Sequence, residues 1–271
     1  MSAAPPLFRL EGVHKGFGTP PARVEPLRGV SFEVRPGETL VLVGPSGTGK
    51  SVTLRLLIGL LSPDRGRVLY RGRDLADMGE ADLDAMRLRM AMLFQSGALF
   101  DSMTVGENVA YPLRARGQRD EALIASLVST KLAQVGLPGT ESKMPSELSG
   151  GMRKRAALAR SIVSSPEVIF YDEPTTGLDP VMSDAIADLL VSTQRVMEGL
   201  TSIVVTHDMN VALKTASRVM MLHDGLVVGE APPEEWRQIA YGELPADAPL
   251  AWRMFRQFAR GEAAGPIQLG K

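Results

Sequence analysis

The chain has 271 residues, 30 basic and 31 acidic side chains, a formal net charge of -1 and no cysteine. That balance supplies no overall field for a polyanion, so nucleic acid is not an expected partner, and without cysteine there is neither a disulfide framework nor a thiolate-held metal. The length suits one elaborated domain with a sizeable core.

The opening, MSAAPPLFRLEG, lacks the basic start and long apolar run of a secretion signal, and the longest apolar stretches, such as LLIGLL (56–61), fall short of a bilayer span. A cytosolic chain is expected, and work at a membrane would need other subunits to span it. TPPARVEP (19–26) has three prolines and reads as a stiff loop or hairpin tip. The runs SFEV (31–34), TLVLVG (39–44), RVLY (67–70), MAMLF (90–94), EVIFYD (167–172) and TSIVVT (201–206) read as strands. RVMMLHDGLVVGE (218–230) reads as a hairpin turning at Asp224-Gly225. Helical patterns between these strands predict an α/β fold with a mostly parallel sheet. Strand signals stop over about 97–165, which predicts a helical insertion.

GPSGTGKS (44–51) stands between a strand and a helix marked by Leu54, Leu57, Ile58 and Leu61, the context a phosphate-binding loop needs. Gly44, Ser46, Gly47, Thr48 and Gly49 let successive backbone N–H groups converge on phosphate oxygens at a helix start. Lys50 is placed to contact the β- and γ-phosphates of a nucleotide such as ATP, and Ser51 to ligate Mg²⁺. Gln95, closing MAMLFQ, is placed to reach water or Mg²⁺. In SGALFDSMTVGENVAYPL (96–113), which follows it, Phe100, Met103 and Tyr111 either line a groove for a short helix of a membrane partner or pack the insertion's own core.

LSGGMRKRAALARSIV (148–163) puts a Ser N-cap and two glycines on an amphipathic helix. Met152, Ala156, Ala159 and Val163 share its apolar face, and Arg153, Lys154, Arg155 and Arg160 are expected on an exposed basic side. Ser149, Gly150 and Gly151 therefore make a second anion-binding tip. EVIFYDEP ends a buried strand in two acids: Asp172 suits the second Mg²⁺ position, and Glu173, pointing elsewhere, suits a general base for the attacking water. His207, after TSIVVT, is placed to donate to a γ-phosphate oxygen. Asp179 before Pro180 forms an N-cap and first-turn pair. In the tail, Trp252, Phe255 and Phe258 fall on one side of a helix that packs on its own domain or docks on a neighbouring subunit.

Two anion sites per chain leave one without a ligand unless two chains share. At this point the ordered set GPSGTGKS, Gln95, LSGGM, VIFYDE, TTGLDP and His207, spanning about residues 7–230, resembles the nucleotide-binding subunit of ABC transporters. The resemblance implies a RecA-like P-loop core with an antiparallel β subdomain (1–95 and 166–231), a helical subdomain (96–165) and a C-terminal extension (232–271). It implies ATP hydrolysis with Mg²⁺ held by Ser51, Gln95 and Asp172, and catalysis by Glu173, His207, Gln95 and Lys50. It further implies a head-to-tail homodimer in which Ser149 and Gly151 of one copy close on the ATP of the other. Phe17, in VHKGFG, matches the position whose ring stacks on adenine, and is otherwise a plain strand-end aromatic. Asp179 matches the loop that crosses between the copies.

Met152 departs from the family's usual Gln. With MAMLFQSGALFDSMTVGENVAYPL, MPSELSGGMRKRAALARSIV and the tail FRQFARGEAAGPI, it is similar to the ATPases of Mla-type phospholipid transporters. Those imply a permease dimer, an MCE-class lipid-binding protein, an accessory subunit, and a place on the cytoplasmic face of the inner membrane. Other readings are an ABC ATPase for a different cargo, a non-transport ABC protein acting on ribosomes or DNA, and a nucleotide-gated scaffold that barely hydrolyses.

Overall fold

The computed structural model describes residues 5–245 and 247–262. In chain order the elements are β1 (Phe8–Phe17), β2 (Val24–Val34), β3 (Thr39–Val43), α1 (Lys50–Leu57), β4 (Arg65–Tyr70), β5 (Arg73–Asp74), α2 (Glu80–Arg87), β6 (Met90–Leu93), α3 (Val105–Ala115), α4 (Glu121–Gln134), α5 (Gly150–Ile162), β7 (Val168–Asp172), α6 (Pro180–Val196), β8 (Thr201–Val205), α7 (Met209–Thr215), β9 (Arg218–His223), β10 (Leu226–Ala231), α8 (Pro233–Tyr241) and α9 (Leu250–Ala259). They form two compact units, one from residues up to 78 and from 204 onward, the other from 79–203, with the division running through β8.

In the first unit an antiparallel sheet runs in the order β2-β1-β4-β5. Phe8 and Leu10 of β1 are buried while Arg9 between them is exposed, the alternation of a sheet with one covered face. Every residue of β3 is buried. That is why TLVLV reads as a continuous apolar run: a parallel strand covered on both sides has no face to give to water. β3 lies parallel to β9, Leu40 opposite Arg218 and Val43 opposite Met221. The Thr206 N–H donates to the Leu42 carbonyl (3.2 Å), bringing the exit of β8 beside β3. The β9–β10 hairpin turns through Asp224 (φ 48°) and Gly225 (φ 76°), the left-handed pair of a two-residue turn.

The helix after the phosphate loop is shorter than its apolar spacing predicts, since it ends at Leu57 rather than reaching Leu61. Gly59 takes φ 73° and its N–H donates to the Leu56 carbonyl, while Leu60 N–H donates to that of Arg55. These two reversed bonds satisfy the last carbonyls and turn the chain away.

The C-terminal helices pack on the first unit. The Trp236 indole of α8 donates to the Val219 carbonyl (2.8 Å) and stacks on Phe255 of α9, centroids 3.8 Å apart. Both side chains are buried, whereas Trp252 and Phe258 are half-buried. Of the tail 249–271, residues 263–271 lie outside the described residues.

In the second unit β6 runs parallel to β7, Met90 opposite Val168 and Leu93 opposite Tyr171, and the Thr201 N–H meets the Glu167 carbonyl at 2.9 Å. Helices α3, α4 and α5 pack together, so the stretch without strand signals is helical. Thr104 and Glu107 form a reciprocal capping box at the start of α3. The buried Asn108 accepts from the Phe100 N–H (2.7 Å) and donates to the Phe100 and Met103 carbonyls (3.0 and 3.1 Å).

Candidate functional site

The phosphate loop leaves β3 at Gly44. A Cβ on Gly44 would lie 2.1 Å from the Leu222 carbonyl oxygen, and φ is 148°, so only glycine fits where the strand turns into the loop. Thr48 Oγ1 donates to the Pro45 carbonyl (2.9 Å), while Ser46 and Gly47 at the tip are exposed. The buried Lys50 ammonium curls back and donates to the carbonyls of Gly44 (2.7 Å) and Pro45 (2.9 Å). Gly49, at φ 94°, is the N-cap of α1; it has no side chain to cap the helix, and no acid stands in the first turn. Backbone amides, a helix start and an ammonium thus gather around one loop, with half-buried Ser51 as the second helical residue. This is the chemistry of a phosphate receptor.

Two further residues named from the sequence belong to the same unit. Phe17 ends β1 with 43% of its surface exposed, and the Lys15 ammonium lies over its ring, 5.8 Å from the centroid. His207 is exposed immediately after β8. Its backbone is held on both sides: Thr206 Oγ1 accepts from the Asp208 N–H (3.0 Å), and Asp208 caps α7 by accepting from Asn210 and Val211.

The second unit carries the acids and the glycine tip. Asp172 is the last residue of β7 and is half-buried. Glu173 follows with φ 51°, a left-handed backbone that swings its side chain out of the strand's alternation. Thr176 Oγ1 donates to Glu173 Oε2 at 3.2 Å. Gln95 is exposed just past β6. Ser149 caps α5, accepting from the Met152 N–H at 3.3 Å, and Gly150 and Gly151 open the helix. The Met182 side chain of α6 reaches over Gly151, its Cε 2.1 Å from where a Cβ would stand. Asp179 caps α6 through the Met182 N–H (2.9 Å), with Pro180 in its first turn. Phe100 and Tyr111 stand 42% and 44% exposed with ring centroids 4.9 Å apart, so this pair is not core.

The basic side of α5 is not a solvated face. Lys154 is buried and donates to the Thr176 carbonyl at 2.8 Å. Burial lowers its pKa, partly opposed by the charge of Glu173. Arg160 donates to the carbonyls of Gly97 and Ala98, each at 2.8 Å, and burial lowers its pKa as well. Arg155 is half-buried, and of the four only Arg153 is exposed. Loop carbonyls with no helix or sheet partner draw these cations inward. One signal of this was present: Lys154 shares a helical face with Gly151, Leu158 and Ser161, small or apolar residues that are all buried.

The ABC transporter family model matches residues 27–176. The chain is 41% identical over 238 residues to an Escherichia coli protein described as the intermembrane phospholipid transport system ATP-binding protein MlaF, covering 88% of this chain and 84% of that one. It is 40% identical over 264 residues to a Mycobacterium leprae protein described as a probable ribonucleotide transport ATP-binding protein, mkl, covering 97% and 72%. Among solved structures, the ATP-binding cassette MJ0796, a dimer in a post-hydrolysis state bound to ADP and Pi, superposes with a TM-score of 0.76 at 30% identity, covering 83% of this chain and 98% of that one. This chain belongs to the ABC transporter family, as one of its ATP-binding, ATP-hydrolysing α/β proteins.

Proposed function

We propose that this ABC ATPase energises phospholipid transport between bacterial membranes through a partner permease. The observation that carries the cargo is the likeness to MlaF, which extends over most of both chains. In this reading the nucleotide-binding core comprises residues 1–95 and 166–231, the helical part 96–165, and the extension 232–271. ATP is the substrate: the amides of the 44–51 loop and Lys50 hold its phosphates, and Phe17 stacks on the base. Glu173 takes a proton from the attacking water, and His207 donates to the γ-phosphate. Gln95 orients that water.

Ser51, Gln95 and Asp172 offer only hard oxygen donors, and no group of three or more His, Cys, Asp or Glu suited to a metal occurs among the described residues. That donor set fits Mg²⁺, which keeps water and nucleotide oxygens in its shell instead of demanding a protein cage. When bound, the ion neutralises phosphate charge. Two copies pair head to tail, Ser149, Gly150 and Gly151 of one closing on the ATP of the other, with Asp179 at the crossing. The difference in nucleotide affinity between the closed and open pair is what drives the permease.

No helix among the described residues is long and apolar enough to cross a membrane; in this reading the chain sits peripherally on the permease, at the cytoplasmic face of the inner membrane. The exposed Phe100–Tyr111 pair supports that docking surface. An MCE-class lipid-binding protein and an accessory subunit complete the proposed complex. The mycobacterial relative's name favours a ribonucleotide cargo as the second reading. One experiment separates them: purify the membrane complex through this chain, reconstitute it in vesicles, and follow labelled phospholipid and labelled ribonucleotide on adding MgATP. ATP-dependent phospholipid movement that Glu173→Gln abolishes supports the proposal. Ribonucleotide movement without phospholipid movement replaces it.

A further inference from the structure

Asp64 lies in the short link between α1 and β4, and it is the meeting point for the end of β1. Its N–H donates to the His14 carbonyl at 2.8 Å. Its Oδ1 accepts from the Lys15 ammonium at 2.9 Å, and its Oδ2 from the Gly16 N–H at 2.9 Å and from the Arg23 guanidinium at 2.8 Å. Three consecutive residues before Phe17, and one on the far side of the hairpin, are thus tied to a single residue, His14 through its backbone and Lys15, Gly16 and Arg23 through its carboxylate. The pairing of β1 with β2 explains the need. The register passes from Lys15 opposite Leu27 to Phe17 opposite Val24 through an irregularity that skips Gly16, and the Gly16 N–H goes to Asp64 instead. Arg23 is itself braced by Glu25 (3.1 Å), so the hairpin is held from both strands. These donors hold the Asp64 carboxyl below its ordinary pKa, the Lys15 hydrogen bond contributing most.

Lys15 connects the clamp to function. The ammonium that Asp64 holds is the one that lies over the Phe17 ring. A cation above an aromatic face is attracted to it and restricts the ring's motion. We propose that Asp64 is a positioning residue for the nucleotide base: by fixing residues 14–16 and the Lys15 ammonium, it presents the Phe17 ring ready-oriented, one face under Lys15 and the other turned to adenine. This rests on the reading of Phe17 as the adenine-stacking residue. An aromatic ordered before the ligand arrives does not lose its freedom on binding, so the clamp acts on affinity and not on the chemical step.

The test uses the full-length chain in its transporter complex, with steady-state ATP hydrolysis by wild type, Phe17→Ala, Asp64→Asn, the double variant, and Arg23→Gln as a milder second break of the clamp. Asp64→Asn raises KM for ATP by about 2- to 10-fold, the range expected for losing one preordered side chain, and leaves kcat near wild type. Arg23→Gln shifts KM the same way by less. The double variant matches Phe17→Ala, because Asp64 acts through Phe17. Inorganic triphosphate, which has no base, inhibits wild type and Asp64→Asn equally. If Phe17→Ala leaves KM unchanged, the stacking reading itself fails. If Phe17→Ala raises KM while Asp64→Asn and Arg23→Gln do not, or if the effects of Phe17→Ala and Asp64→Asn multiply in the double variant, the stacking reading stands and the role of Asp64 is overturned.

Discussion

The Lys154 ammonium donates to the Thr176 carbonyl at 2.8 Å, and the Thr176 hydroxyl donates to the Glu173 carboxylate at 3.2 Å. The helix that carries the glycine tip is therefore joined, through one residue, to the acid that serves as base in the proposed reaction. Removing the cation strands a carbonyl and loosens Thr176. Lys154→Met should cost about 1.5–3 kcal/mol in chemical denaturation, the range for hydrogen bonds from charged groups. Turnover should fall more than nucleotide affinity does, which steady-state kinetics beside equilibrium binding will show; equal losses in both would assign Lys154 to stability alone.

Glu173→Gln keeps shape and hydrogen bonding but cannot take a proton. Phosphate release should drop by about 10²- to 10⁴-fold, the usual worth of general base catalysis. ATP binding should persist, and with MgATP the variant should accumulate as a dimer by size-exclusion chromatography with light scattering. A variant that hydrolyses at the wild-type rate would move the base elsewhere.

Phe255 is fully buried against Trp236, which makes α9 part of the core of its unit. Phe255→Ala should destabilise by about 3–5 kcal/mol, measured by denaturant unfolding, as large-to-small changes at buried aromatics do. Loss of well under 1 kcal/mol would mean that the tail is held by something other than this stack.

Tyr171 is buried in β7, and burial pushes its phenol far above the ordinary value of 10.0. In the unfolded chain the phenol ionises near that ordinary value while in the folded chain it stays neutral. Its contribution is therefore complete below about pH 10 and is lost as pH rises further, because the unfolded state then binds fewer protons. Tyr171→Phe should make the alkaline decline in unfolding free energy less steep. An unchanged slope between pH 9 and 11 would contradict the assignment.

Much of this was legible in the residues because the physics is local. TLVLV and VIFYD announce buried strands by having no polar alternate, Asp224-Gly225 announces a two-residue turn by its tolerance of left-handed φ, and Ser149 and Asp179 sit where helix amides lack partners. What escaped depends on tertiary neighbours. Lys154 reads as surface until the Thr176 carbonyl is seen beside it, and Asp64 reads as an ordinary loop acid until β4 brings it alongside β1. The end of α1 escaped for another reason: Leu61 continues the apolar spacing, but Gly59 stops the helix first. β1 gives no clear strand signal either, because RLEGVHKGF (9–17) breaks its alternation at the irregularities around Gly12 and Gly16.

The backbone at Glu173 sits where a side chain with a Cβ is disfavoured by about 1–2 kcal/mol. A glycine would rest there comfortably, yet it would bring no carboxylate. The position thus sets durability against turnover: the strained backbone is what places a carboxylate where the proposed reaction needs a base.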